Sequence, residues 1–140
     1  MPFTTGLIPR TLVQAIPSST PSITIGTLAN GATLNKDFDC LKATADPALI
    51  NVGVSPSPNA IVAVGPFLDA FLFADQPLTL AVFYALNGGT FRQVSNTLVG
   101  LSTFANISGL RITGHFVRVQ LSNASGSLAN IEFGAFVRST

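Results

Sequence analysis

From Phe67 onward, apolar and polar residues take turns, and the alternation breaks only at short turns of Gly, Asn and Ser. It is cleanest in His115-Phe116-Val117-Arg118-Val119-Gln120-Leu121-Ser122. There Val117, Val119 and Leu121 share one side, and Arg118, Gln120 and Ser122 share the other. A side-chain period of two belongs to an extended strand with one dry face and one wet face. A chain built from such segments has to close its dry faces against each other. The expectation is therefore an all-β fold, an antiparallel β-sandwich of jelly-roll-like form.

The remaining segments follow from the same period. Ile61–Val64 and Phe67–Phe73 read as strands, and Phe71-Leu72-Phe73 carries bulk on both faces, as an interior strand covered on two sides would. Leu78–Leu86 is the longest strand, and Asn87-Gly88-Gly89 predicts a hairpin, since Asn and Gly tolerate the positive φ of primed turns. Thr90–Val94 is the return strand, and Leu98–Phe104 has no clear period. Ile107–Thr113 leads into the strand from His115, Asn123–Ser127 turns the chain, and Leu128–Val137 closes the sheet. The body then holds about eight strands at sandwich spacing.

The first third reads differently. Residues 1–35 contain Pro2, Pro9, Pro17 and Pro21, and proline removes ladder donors, so this stretch suits an extended N-terminal arm or edge strands. Within it Ser22–Leu28 alternates, with Ile23, Ile25 and Leu28 seeking cover. Residues 36–140 form the β-sandwich domain.

Composition limits what such a body can do. Only 9% of the 140 residues are charged while 47% are hydrophobic, against about 25% charged in an ordinary soluble domain. Part of the outer surface is then expected to lie under another chain, and a homo-oligomer or larger assembly follows. The seven basic residues (Arg10, Lys36, Lys42, Arg92, Arg111, Arg118, Arg138) are dispersed, so no nucleic-acid partner is expected. The stretch Ala60–Ala74 is interrupted by Gly65, Pro66 and Asp69 and is too short to span a bilayer, so no membrane partner is expected either. Met1–Gly6 has neither a basic segment nor an apolar run of the kind that directs export.

Chemistry is sparse. The acidic residues are Asp37, Asp39, Asp46, Asp69, Asp75 and Glu132. Asp37 and Asp39 share a strand face beside Lys36 and Lys42, too few oxygens for Ca²⁺. Asp69 could face inward or pair with an arginine. His115 is the only histidine and Cys40 the only cysteine, which leaves no zinc set and no intramolecular disulfide. Cys40, next to Phe38 and Leu41, reads as a small buried apolar residue. No phosphate-cradling loop or nucleophile elbow occurs, so no catalytic, cofactor or metal residue is expected, and the chain is read as a non-enzyme. Asn106-Ile107-Ser108 and Asn123-Ala124-Ser125 match the glycosylation acceptor pattern, the second at an expected turn. Eleven Phe, one Tyr and no Trp favour packing over sugar capture, because Phe stacks but cannot hydrogen-bond through its tip.

Ala74-Asp75-Gln76-Pro77-Leu78-Thr79-Leu80, the hairpin Asn87-Gly88-Gly89-Thr90-Phe91 and His115–Asn123 resemble the small β-sandwich domains of tailed-bacteriophage virion proteins. The likeness covers about the C-terminal half. It implies a capsid decoration (cement) protein or a head or tail fibre domain, in many cases trimeric and anchored by an N-terminal arm. On that reading the chain is synthesised in the host cytoplasm and resides at the capsid surface. Its partners are itself, with a trimer favoured, and a major capsid or other virion protein. The contact residues would be the arm aliphatics Leu7, Ile8, Leu12, Val13 and Ile16. The alternative is a lectin-like or carbohydrate-binding adhesin domain that uses Tyr84 or an exposed Phe.

Overall fold

A computed structural model describes residues 19–40, 60–63, 65–100 and 103–139. Among these, the regular structure is all strand: β1 (Ser19–Leu28), β2 (Thr33–Asp39), β3 (Ile61–Val62), β4 (Phe67–Ala74), β5 (Leu78–Ala85), β6 (Arg92–Val99), β7 (Thr103–Arg111), β8 (Phe116–Ser122) and β9 (Ala129–Arg138). They form a four-stranded sheet in the order β1-β9-β4-β7 and a five-stranded sheet in the order β3-β2-β8-β5-β6. With the two-residue β3 set aside, the pairings nest: β1 with β9, β2 with β8, β4 with β7 and β5 with β6, all antiparallel. The chain is thus one long hairpin, tipped by β5–β6, rolled so that successive pairs fall in opposite sheets. That is the jelly-roll form of the sandwich expected from sequence.

The two sheets close over a dry layer built from the alternating positions. Leu68, Ala70, Leu72 and Ala74 come from β4, and Ile131, Phe133, Ala135 and Val137 from β9. Phe38, Leu78, Leu80, Val82, Val117, Val119 and Leu121 come from the opposite sheet, and all are buried. β8 follows its sequence pattern, with Val117, Val119 and Leu121 inside and Arg118, Gln120 and Ser122 half-buried on the other side.

Three expectations need correction. The 71–73 segment is not covered on both faces: Leu72 is fully buried, whereas Phe71 and Phe73 stand on an uncovered outer face. β4 lies between β9 and β7 in its sheet, but nothing among the described residues lies over it. The return strand after the hairpin is not 90–94 but β6, Arg92–Val99. β6 is a sheet edge with six of its eight residues exposed, so burial imposes no period that the sequence could display. The hairpin itself is wider than a two-residue turn: β5 ends at Ala85 and the Gly89 N–H donates to the Leu86 carbonyl at 2.8 Å, three residues before β6 begins.

At one end of the sandwich, Asn123 ties two turns together. It is 2% exposed. Its Nδ2 donates to the carbonyls of Leu28 and Ser127, both at 2.8 Å, and its Oδ1 accepts from the Ser125 N–H at 3.0 Å and the Ser125 hydroxyl at 2.7 Å. Its backbone N–H donates to the Ala32 carbonyl and its carbonyl accepts from the Gly31 N–H. The amide that a glycosylation acceptor would offer is therefore consumed in the fold. Replacing Asn123 by Ala strands the Leu28 carbonyl away from water, and the loss expected is about 2–4 kcal/mol. Denaturant unfolding of Asn123→Ala measures it; a change within experimental scatter would mean water takes over the amide's bonds.

Candidate functional site

The outer faces of the two sheets are built on opposite plans. On the five-stranded sheet, facing side chains are paired across β2 and β8, while Leu98 on edge strand β6 stands alone at 76% exposure. Arg118 grips Asp37 through two parallel bonds, Nε to Oδ1 at 2.8 Å and Nη2 to Oδ2 at 2.9 Å. The guanidinium also lies 4.2 Å from the centre of the Phe91 ring. One step along the same strands, Gln120 donates to Asn35 at 3.0 Å. Register places each pair directly opposite on β2 and β8, the closest cross-strand arrangement.

On the four-stranded sheet the outer face is apolar and uncovered. β1, β9, β4 and β7 are aligned so that Ile23, Gly134, Phe71 and Asn106 make one row, and Ile25, Glu132, Phe73 and Phe104 the next. Exposure is 62% for Ile23, 75% for Ile25, 37% for Phe71 and for Phe73, and 53% for Phe104. The Phe71 and Phe104 rings meet edge to face, centroids 4.5 Å apart. Half-buried Phe136 adds to the patch, its ring lying across Gly134, where a Cβ would come within 3.1 Å of it. A shallow hollow lies between Ile23 and Ile25 on one flank and Phe71 on the other, with Gly134 and the Phe136 ring as its floor. Glu132 is the only charged residue in these two rows.

Polar groups rim this face. At one end Asp69 accepts from Arg138 Nε and from the Gly109 N–H, both at 2.6 Å. Gly109 is the extra residue of a bulge on β7, held at φ 66°, where a side chain would be strained. The hydrogen bond from Arg138, and behind it the Gly109 amide, keep the Asp69 carboxyl below the usual carboxylate range. At the other end Asp75 accepts from the backbone N–H and the side-chain amide of Asn130, at 2.8 and 2.7 Å.

β1 explains how the apolar rows arise. Ile23 and Ile25 point outward, while Ser22 and Thr24 point toward the opposite sheet and Leu28, in phase with the hydroxyls, is buried. Lys36 of β2 fills the space these small residues leave. Its ammonium donates to Thr24 Oγ1 at 2.8 Å and Ser22 Oγ at 3.1 Å, and lies 5.1 Å from the centre of the Phe133 ring. Lys36 is buried, and burial lowers its pKa. A polar cluster thus occupies the inner side of β1, and its aliphatics are left on the outside.

The other candidates dissolve into structure. The His115 Nδ1 accepts from the Asn87 N–H at 2.8 Å, so the imidazole braces the hairpin. Burial and neighbouring Asp39 push the Cys40 thiol up to about 11, far from a reactive thiolate. No cluster of three or more metal-ligating side chains exists among the described residues. Of the described basic residues, Lys36 is buried and Arg118 and Arg138 are ion-paired, which leaves Arg92 and Arg111 exposed and no basic patch. No helix among the described residues is long and apolar enough to cross a membrane. A depression near the hairpin is lined by Tyr84, Leu86, Thr90, Arg92 and Thr113, with no carboxylate or amide side chain among its lining residues. Tyr84 donates its hydroxyl to the Arg111 carbonyl at 2.6 Å. The arm residues Leu7, Ile8, Leu12, Val13 and Ile16 lie outside the described residues.

No family model matches this chain, and no curated protein matches it. Among solved structures it is similar to the Yersinia pseudotuberculosis-derived mitogen, with a TM-score of 0.51 and 13% identity over 89% of this chain and 90% of that one. It is also similar to PirA, with a TM-score of 0.47 and 12% identity over 87% of this chain and 94% of that one. A de novo designed double-stranded β-helix gives a TM-score of 0.39 and 16% identity over 83% and 95% of the two chains. The first of these likenesses supports the all-β fold and nothing finer.

The lowered pKa of Lys36 has a sign that can be checked. The unfolded chain holds that proton more tightly than the folded one. Lys36 therefore makes stability climb as pH rises through its folded value toward 10.5, and below that window it contributes no slope. Cys40 and Tyr84, both raised, act oppositely at high pH, but they cancel between wild type and Lys36→Met. The unfolding free energy of wild type minus that of Lys36→Met is expected to increase over the window. A flat difference would show that the ammonium is hydrated in the fold.

Proposed function

We propose that this chain is a non-enzymatic virion structural protein, a capsid decoration protein that binds and reinforces the head lattice. The observation that carries the reading is the uncovered apolar face of the four-stranded sheet, where Ile23, Ile25, Phe71, Phe73 and Phe104 stand together in two rows. A surface of that kind is the mark of an association site. The resemblance of Ala74–Leu80, Asn87–Phe91 and His115–Asn123 to phage virion sandwiches supplies the setting.

Mechanically, a decoration protein works by sharing apolar area across boundaries. Lattice expansion or internal pressure must then break many contacts together. The arm aliphatics Leu7, Ile8, Leu12, Val13 and Ile16 serve as the edge that meets the lattice, and the sandwich links copies. The lectin-like alternative is weaker on chemistry. The depression beside Tyr84 has no carboxylate or amide side chain to hold two neighbouring sugar hydroxyls at once, and the Tyr84 hydroxyl is already given to the Arg111 carbonyl.

Co-sedimentation with empty heads of the virus that encodes the chain tests the reading. The full chain is expected to pellet with the shells and raise their disruption temperature, and the double variant Leu12→Asp, Val13→Asp to stay in the supernatant while remaining folded. A full chain that never pellets with shells overturns it.

A further inference from the structure

We infer that a second copy of this chain covers the outer face of the four-stranded sheet, in a two-fold pair that seats Phe71 of each copy in the hollow floored by Gly134 and Phe136 of the other. This deepens the assembly reading above by naming the occupant of that face, and it stands or falls on separate data.

The register carries the argument. Phe71 and Gly134 are direct neighbours in one row, on the two central strands β4 and β9. A two-fold axis running along the strands between β4 and β9 lays the β4 of each copy over the β9 of the other. The bulkiest side chain of the row then meets the hollow floored by Gly134 and the Phe136 ring, twice, by the same symmetry operation. The same axis lays β1 over β7 and brings Ile25 opposite Phe104 of the second copy, joining the two most exposed apolar side chains of the next row. Such a contact is isologous, each surface being its own complement. Two sheets can meet this way about 10 Å apart with their strands within about 30° of parallel.

Size agrees with a second copy. Taking roughly 200 Å² for a fully exposed side chain of this class, Ile23, Ile25, Phe71, Phe73 and Phe104 leave roughly 500 Å² of apolar surface. The apolar share of a standard homodimer contact is about two-thirds of about 800 Å² on each partner, which is the same quantity. The rim of Asp69, Arg138, Thr27 and Asn130 around an apolar centre matches the anatomy of such contacts.

Substitution of Glu132 separates a second copy from a cationic partner. A dedicated foreign partner would meet its carboxylate with a cation. In the two-fold pair it faces Phe73 of the other copy and approaches its own equivalent, so its charge opposes the contact. Removing the charge should therefore tighten a self-pair and loosen a complex with a cationic partner.

Sedimentation velocity of the full chain across a dilution series tests this. A monomer–dimer equilibrium is expected. Ile23→Lys, on an edge strand at a well-exposed position, is expected to weaken the dimer by roughly tenfold or more. Glu132→Gln is expected to tighten it by roughly threefold. An unchanged thermal midpoint in Ile23→Lys shows that the body is intact; the Glu132→Gln arm decides the matter if it is not. A monomer at every concentration, a three-copy mass, a dimer insensitive to both substitutions, or a dimer weakened by Glu132→Gln overturns the pair. A dimer that never pellets with shells would sink the virion reading and leave the pair standing, and shell binding by a strict monomer would do the reverse.

Discussion

Phe38, Leu72, Leu80, Val119 and Phe133 meet in the layer between the two sheets, and burying them fixes which side of nearly every strand faces inward. Because the side-chain period is two, that choice also fixes which residues are left outside. The outer faces are in this sense a by-product of the core. What distinguishes this protein is what its sequence places on them. Opposite charges and amides pair off across β2 and β8 on one side, and rows of Ile and Phe stand across β1, β9, β4 and β7 on the other.

The two plans have different consequences. A face of Asp37–Arg118 and Asn35–Gln120 pairs satisfies its own polar groups and has little to gain from a partner. A face of isoleucines and phenylalanines loses free energy in water at about 25 cal/mol for each Å² left exposed. Lys36 maintains the asymmetry, because its ammonium needs the Ser22 and Thr24 hydroxyls on the inner side of β1, and that phase sends Ile23 and Ile25 outward. Reversing β1 would bury two isoleucines but leave the Lys36 ammonium in the core without its hydroxyl partners, a cost of several kcal/mol for an ion away from water. The polar interior and the sticky exterior of this strand are therefore one feature.

Much of the fold was legible in the sequence, and the reasons are physical. β8 and β9 could be read because each has a fully buried side, which sets an apolar residue at every second position. β6 could not, since an edge strand wet on nearly all sides carries no burial signal. The candidate surface was half legible. Composition indicated that some outer surface must be covered, yet Ile23 and Ile25 read only as residues seeking cover, because alternation alone does not say which face is inside. The clue lay in Leu28, which is in phase with Ser22 and Thr24 and out of phase with both isoleucines. Phe71 and Phe73 misled for a related reason: flanking Leu72 with bulk looks the same whether the outer cover is the chain itself or another molecule. Asn123 read as a turn residue and proved to be one, but its four side-chain bonds depend on the Leu28 carbonyl and the 125–127 turn coming together only in the folded sandwich.

Hydroxyl-radical footprinting of the protein in its assembled state, set against the dilute chain, asks most directly whether the apolar sheet face is made to be covered. The account predicts that oxidation of Phe71, Phe73 and Phe104 falls sharply on assembly while that of Phe83, on the strand beside Arg118, does not change. Equal labelling of the three phenylalanines in both states, or protection of the Asp37–Arg118 side in their place, would contradict it.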